Sequence, residues 1–248
     1  NGSIRTTTIY GGFSGENRDG ADSITIGGTI TNSLINANQG NDTVLITGDA
    51  LKGAVVGGGS GDDSVSLGGL LTASTFKGGV GSDTLYLGKI NNASVYGGNG
   101  SGDTSDGRDS ISLSGVALNA FLGGNAGSDS IFLKKFEKST VSGGHGNDSI
   151  VLADSALSFL AQGGSGDDTI AFDANQSELI NSSIYGGNSS GTSSGKDSIK
   201  VAVKNVILST TFLGAAGADT LDISATASGE LVQSFIKTGE GADSLAVT

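Results

Sequence analysis

A period of about twenty residues runs through the whole chain and restricts its fold more than any other property of the sequence. Aspartate followed by Ser or Thr recurs at Asp22, Asp42, Asp63, Asp83, Asp109, Asp129, Asp148, Asp168, Asp197, Asp219 and Asp243, eleven copies mostly 19 to 22 residues apart, with wider gaps where residues are inserted. Two positions after each Asp stands Ile, Val or Leu, from Ile24 and Val44 to Leu245, and four positions after it the apolar file continues from Ile26 and Ile46 to Val247. Apolar residues at alternate positions between polar ones specify strands. A second apolar file precedes each glycine-rich turn: Ile9, Ile35, Val56, Phe76, Val95, Phe121, Val141, Ala161, Ile184, Phe212 and Ile236. Each repeat therefore predicts two short strands and two turns.

One such repeat has too few apolar side chains to bury by itself. Stacking identical coils about 4.8 Å apart gives every strand two neighbours and closes a thin continuous core. The expected fold is all-β: a parallel β-roll or β-solenoid of about eleven coils of roughly 20 residues, one continuous unit over 1–248 and a rod roughly 50 Å long. The 44 glycines and the absence of Pro fit turn-rich stacked coils and oppose helical repeats. A flexible glycine-rich linker has no reason to place aliphatic residues at the same two offsets in every copy.

Composition also narrows function. With no Cys, disulfides, thiolate metal sites and cysteine nucleophiles are excluded. The 25 Asp plus Glu against 13 Lys plus Arg argue against nucleic acid, which needs clustered cations, and favour cations as partners. No apolar run approaches the roughly 18 residues of a membrane span, and no signal peptide is recognisable. The chain opens at Asn1 and stops at Thr248 just after a strand-like segment, so the expectation is a piece of a longer protein.

The turn before each Asp carries the chemistry. Its full form reads Gly58-Gly59-Ser60-Gly61-Asp62-Asp63, Gly78-Gly79-Val80-Gly81-Ser82-Asp83, Gly143-Gly144-His145-Gly146-Asn147-Asp148 and Gly163-Gly164-Ser165-Gly166-Asp167-Asp168. Here the chain resembles the RTX, or hemolysin-type, calcium-binding repeat family, whose signature is Gly-Gly-x-Gly-x-Asp-x-aliphatic-x. The resemblance implies a file of up to about ten Ca²⁺ ions between consecutive turns on one edge, taking Asp oxygens and backbone carbonyls from both. The implied metal residues are the eleven repeat aspartates with Gly59, Gly61, Gly79, Gly81, Gly144, Gly146, Gly164 and Gly166. Coordination chemistry explains the same spelling: Ca²⁺ takes six to eight oxygens, and glycines permit the positive φ that turns carbonyls inward. Ionised carboxylates stacked about 5 Å apart would otherwise repel by on the order of 1 kcal/mol per pair.

The chain departs from the family in carrying one motif per coil. The opposite turn reads Gly69-Leu70-Leu71-Thr72, Gly88-Lys89-Ile90-Asn91 or Lys134-Lys135-Phe136-Glu137, with a central apolar residue and no reserved carboxylate, so that edge should close by apolar packing. Some metal turns are degenerate: Gly214-Ala215-Ala216-Gly217 loses the second Gly, and Asn38-Gln39-Gly40 begins without the pair.

Three turns are lengthened, at 11–22, 97–109 and 186–197, each after a Tyr (Tyr10, Tyr96, Tyr185). They fall on the first, fifth and ninth copies, giving a four-coil super-repeat of about 87 residues. Two hold extra acids (Glu16 and Asp19; Asp103 and Asp106), whereas the third does not, so extra ligation is not their common purpose. The lone His145 occupies a variable turn position, where a solvent-facing role outweighs catalysis. The outward positions Thr25, Leu45, Ser66, Tyr86, Ser112, Phe132, Val151, Ala171, Lys200, Asp222 and Ala246 form no regular Thr or aromatic array.

No enzyme active site is legible. The expectation is a calcium-rigidified extracellular or cell-surface segment of a surface layer, filament or adhesin, with calcium ions and copies of itself in a lattice or filament as partners. The competing expectation is the non-catalytic secretion and folding module of an RTX lipase or protease.

Overall fold

The computed structural model of the chain describes residues 2–12, 20–100, 106–154, 156–188, 195–225 and 229–248, without the side chains of 173–177. The acids Glu16, Asp19 and Asp103 of the inserted loops lie outside the described residues. All regular elements among the described residues are strands. They form two sheets whose pairings are parallel throughout, one of sixteen strands and one of eleven, each ordered as the chain climbs. The chain is thus an all-β parallel solenoid. Its coils are numbered here from coil 1, with Asp22, to coil 11, with Asp243.

The coil around Asp63 shows the path. Ser64–Thr72 runs in the first sheet and reaches the far edge, the chain turns at Ala73 with φ of 46°, and Thr75–Val80 returns in the second sheet to the next glycine turn. Every coil makes the far-edge turn at one left-handed residue, from Thr6 to Gln233, with φ between 46° and 53°. The far-edge segment itself pairs in the first sheet, as in Ala50–Leu51, Ala156–Leu157 and Glu230–Val232. It is a separate short strand in five coils and continues the first-sheet strand in the other six, as in Ser64–Thr72, so the two-strand repeat that the periodicity predicts gains a third strand in those five.

The core is four inward files. Val44, Val65, Leu85, Ile111, Ile131, Ile150, Ile170, Ile199 and Leu221 stack in register, and the file two residues on, Ile46 to Ile223, stacks beside them. The far edge closes on Ile30, Ala50, Leu71, Ile90, Ala117, Phe136, Ala156, Leu179 and Ile207, all buried, as the apolar centres of the opposite turns predict. The second-sheet file follows the sequence reading except at one coil. Leu122, not Phe121, pairs with Val95 and Val141 and is buried, whereas Phe121 faces outward against Tyr96 with ring centroids 5.4 Å apart. Counting back from Gly123-Gly124 places the file one residue early, because this coil's motif begins at Gly124 and its second position is Asn125.

Where the files carry small residues, aromatic rings fill the volume. Phe159 packs between Phe136 and Phe172, with centroids 5.7 and 5.6 Å away, at the coil whose far-edge and second-sheet files carry only Ala156 and Ala161. A hydroxyl ladder pins the far edge as well. Ser33, Ser74, Ser139, Ser182, Thr210 and Ser234 each donate to the carbonyl two residues earlier. Five of them also accept a backbone N–H from the preceding coil.

Candidate metal edge

All eleven repeat aspartates fall in one file at the edge where the second sheet returns to the first. Asp42, Asp63, Asp83, Asp109, Asp129, Asp148, Asp168, Asp197 and Asp219 are at most 3% exposed, and the end members Asp22 and Asp243 are half-buried. The file is locked by two opposed sets of hydrogen bonds. Each Asp N–H donates to Oδ1 of the Asp one coil on, at 2.7 to 3.0 Å from Asp22 through to Asp243. Each Asp carbonyl accepts the N–H of the Ser or Thr after the next Asp, at 2.7 to 2.8 Å from Thr43 to Ser244. That residue is Ser or Thr in every copy.

This accounts for the N–H, the carbonyl and Oδ1 of the file and leaves one oxygen over. Oδ2 of Asp63, Asp83, Asp109, Asp129, Asp148, Asp168, Asp197 and Asp219 is buried and has no hydrogen-bond partner. A buried acceptor without a partner costs about 1–3 kcal/mol, and more if charged, so a row of them calls for protons or cations.

The glycines explain how the turns come so close. Gly59, Gly79, Gly144 and Gly164 have φ from 121° to 135°, and Gly61, Gly81, Gly146 and Gly166 from 115° to 128°. A Cβ at any of these eight would overlap a carbonyl oxygen of the preceding coil, such as Asn38 O for Gly59 or Gly127 O for Gly146. Glycine is needed there for both its dihedral and its bareness. At the first motif position, a Cβ on Gly78, Gly97, Gly124, Gly143 or Gly163 would strike both the same coil's Asp Oδ2 and the first-position carbonyl of the next coil. Carboxylate oxygens and main-chain oxygens are therefore packed together on this edge.

Two further features of the edge carry no sequence expectation. The residue before the Asp has its own ladder, running the other way: Asp62 N–H donates to Asn41 Oδ1, Ser82 to Asp62, Asp167 to Asn147 and Lys196 to Asp167, at 2.7 to 3.0 Å. The signal was present in the recurrent Asn, Asp or Ser at that position. Asp106, in the second inserted loop, substitutes for main chain. Gly61 and Gly146 donate to the third-position carbonyls Val80 O and Ser165 O, whereas Gly81 donates at 2.9 Å to Asp106 Oδ1, which also accepts from Gly107 at 2.8 Å.

Burial of the file raises its pKa values from the ordinary 3.8. Desolvation is the leading cause in each case, the N–H bond from the preceding Asp opposes it, and neighbouring carboxylates add to it. Asp197 rises to about 6, Asp63, Asp83, Asp129 and Asp168 to about 7, Asp148 to about 8 and Asp109 to about 9, and Asp219 also moves up. Without cations, burial favours the protonated carboxyl, most strongly at Asp148 and Asp109.

The donor set suits a hard cation. Among the described residues no three His, Cys, Asp or Glu converge, so an ion here would draw on one carboxylate per coil and on backbone carbonyls, an all-oxygen set suited to Ca²⁺ rather than to zinc. His145 faces solvent on this edge, its Nδ1 2.7 Å from Ser165 Oγ on the next turn. Among the described residues no helix is long and apolar enough to cross a membrane.

A solved structure shares this fold: a hyperactive, Ca²⁺-dependent, beta-helical antifreeze protein from an Antarctic bacterium, at a TM-score of 0.54 and 22% identity over 87% of this chain and 70% of that one. No protein-family model matches the chain. No curated protein matches it either.

Proposed function

We propose that this chain is a calcium-dependent structural rod of the extracellular space, stiffened by a file of Ca²⁺ ions along the aspartate edge. The observation that carries the reading is the row of buried Asp Oδ2 atoms without hydrogen-bond partners, set among carbonyl oxygens. The eleven repeat aspartates and the glycines Gly59, Gly61, Gly79, Gly81, Gly144, Gly146, Gly164 and Gly166 would hold the ions. When bound, calcium supplies the positive charge that lets the carboxylates stay ionised at neutral pH; the chain itself supplies their spacing through the Asp N–H to Oδ1 ladder. The Ca²⁺ dependence of the similar structure supports the reading. Coupling of metal to folding suits a protein that leaves a calcium-poor cytosol unfolded and folds outside.

The antifreeze action of that neighbour is not extended to this chain. Tyr86, Phe132, Lys200 and Asp222 stand in one outward file with Ser66, Ser112 and Ala171, a chemically mixed face. The reading is tested by counting metal. After equilibrium dialysis of chelated protein against millimolar CaCl₂, about ten calcium ions per chain are expected; a chain that emerges free of calcium overturns the proposal.

A further inference from the structure

Over eleven coils the outward middle file of the first sheet is mixed, because Lys200 and Asp222 stand in it. Coils 2 to 6 have an order of their own. Leu45, Ser66, Tyr86, Ser112 and Phe132 are neighbours in register, so a large apolar side chain and a serine alternate from coil to coil. Leu45, Tyr86 and Phe132 are 38%, 53% and 43% exposed. With Ser66 and Ser112 as its neighbours, the Tyr86 ring has no bulky side chain in its own file to pack on.

Hydrogen-bonding groups border this file on both sides. Toward the aspartate edge, Thr43, Ser64, Thr84, Ser110 and Ser130 stack in the same register as a file of hydroxyls. Toward the far edge, Gly68, Gly88 and Ser114 border an open bay of about 420 Å³ that Asp49 and Lys89 also line. Gly88 is two residues from Tyr86 on the same strand, so the bay opens beside the ring. Asp49 is held in place by the Leu70 N–H, 2.8 Å from its Oδ1. The chain has a net charge of −12, yet the middle and hydroxyl files carry no charge in coils 2 to 6.

Pitch and chemistry together select an occupant. The apolar rungs recur every second coil, about 9.6 Å at the spacing of stacked strands. In a β-1,4-linked glycan each sugar is turned over relative to the one before, so one ring face recurs every second sugar, and the disaccharide repeat is close to that length. Sugar rings offer C–H faces to aromatic and aliphatic side chains and hydroxyl rims to polar ones. Three apolar side chains set among serines and glycines supply too little apolar surface for the core of a protein–protein interface. We infer that the outward face of the first sheet in coils 2 to 6 binds an extended β-1,4-linked glycan lying along the rod. Leu45, Tyr86 and Phe132 underlie every second sugar, and Asp49, Lys89 and the Ser and Thr hydroxyls serve its rim. The aspartate file is no part of this face, so the inference stands apart from the calcium reading.

Calorimetric titration of the full chain in millimolar CaCl₂ with cellohexaose, and separately with the hexamer of N-acetylglucosamine, tests the inference and distinguishes the two sugars. Saturable binding of at least one is expected, tightening with oligosaccharide length up to about five sugars, the span of three rungs two coils apart. Tyr86→Ala and Phe132→Ala should each weaken it roughly tenfold and leave the melting temperature unchanged, because both side chains are exposed. Combining Ser66→Tyr with Tyr86→Ser keeps the composition but breaks the two-coil pitch, and should weaken binding as much as Tyr86→Ala. Absence of saturable binding to either hexamer overturns the inference, as does a pitch-shifted chain that binds as tightly as the parent. A parent chain that sediments as a dimer and becomes a monomer on Phe132→Ala also overturns it, by assigning the face to a second copy.

Discussion

In chelator the chain should be most stable in acid and should lose its β structure as pH rises through neutrality. The sign follows from the raised pKa values of the aspartate file. Between the ordinary value of 3.8 and folded values from about 6 at Asp197 to about 9 at Asp109, the folded chain binds more protons than the unfolded one. Stability is then full below about pH 4 and declines as pH climbs through the folded values. A three-unit shift corresponds to on the order of 4 kcal/mol between the two protonation states. A few such groups match the ~5–15 kcal/mol by which a folded domain is stable. Calcium excess should reverse the trend, because ions displace the protons and bind better as pH rises. Thermal melts followed by circular dichroism from pH 4 to 9, with and without chelator, check this. Melting temperatures under chelation that hold level or rise across that range contradict it.

Gly144→Val should be among the most damaging single substitutions of the metal edge. Gly144 has φ of 121°, and a Cβ there would overlap Asn125 O of the preceding coil. The left-handed backbone alone costs on the order of 1–3 kcal/mol for a side chain, more when β-branched, and the overlap lies against main chain that the coil stack holds in place. A total loss of about 4 kcal/mol or more is expected, with refolding blocked at coils 6 to 8. Gly27→Ala is the matched comparison. Nothing lies within 4 Å of a Cβ at Gly27, which is exposed, so its change should stay within about 0.5 kcal/mol. Denaturant unfolding of the two variants measures the contrast, and a Gly144→Val chain as stable as Gly27→Ala removes the steric account of the turn.

The inward files were legible because a strand buried on one face must alternate, and the Asp repeat gave the alternation a fixed origin. The same logic failed at Phe121, where the glycine pair used as a landmark is displaced by Asn125. The far-edge strand left one apolar residue between polar neighbours as its signal, as at Ile90 between Lys89 and Asn91, and one residue cannot show a period of two. Its left-handed turn was hidden further, since Thr, Asn, Lys, Ala, Ser and Gln all take it.

At the metal edge, residue types were readable and their contacts were not. Asp at a fixed offset marks the file, but the bond from Asp148 N–H to Asp168 Oδ1 joins residues twenty apart and exists only once coils stack. The leftover Oδ2, on which the cation argument turns, follows from that bond.

The most direct measurement is anomalous diffraction from crystals grown in calcium at neutral pH. A row of peaks spaced by one coil, each within about 2.6 Å of an aspartate Oδ2, is the expected result. Aspartates turned outward to solvent, with no anomalous density between successive turns, would contradict the account.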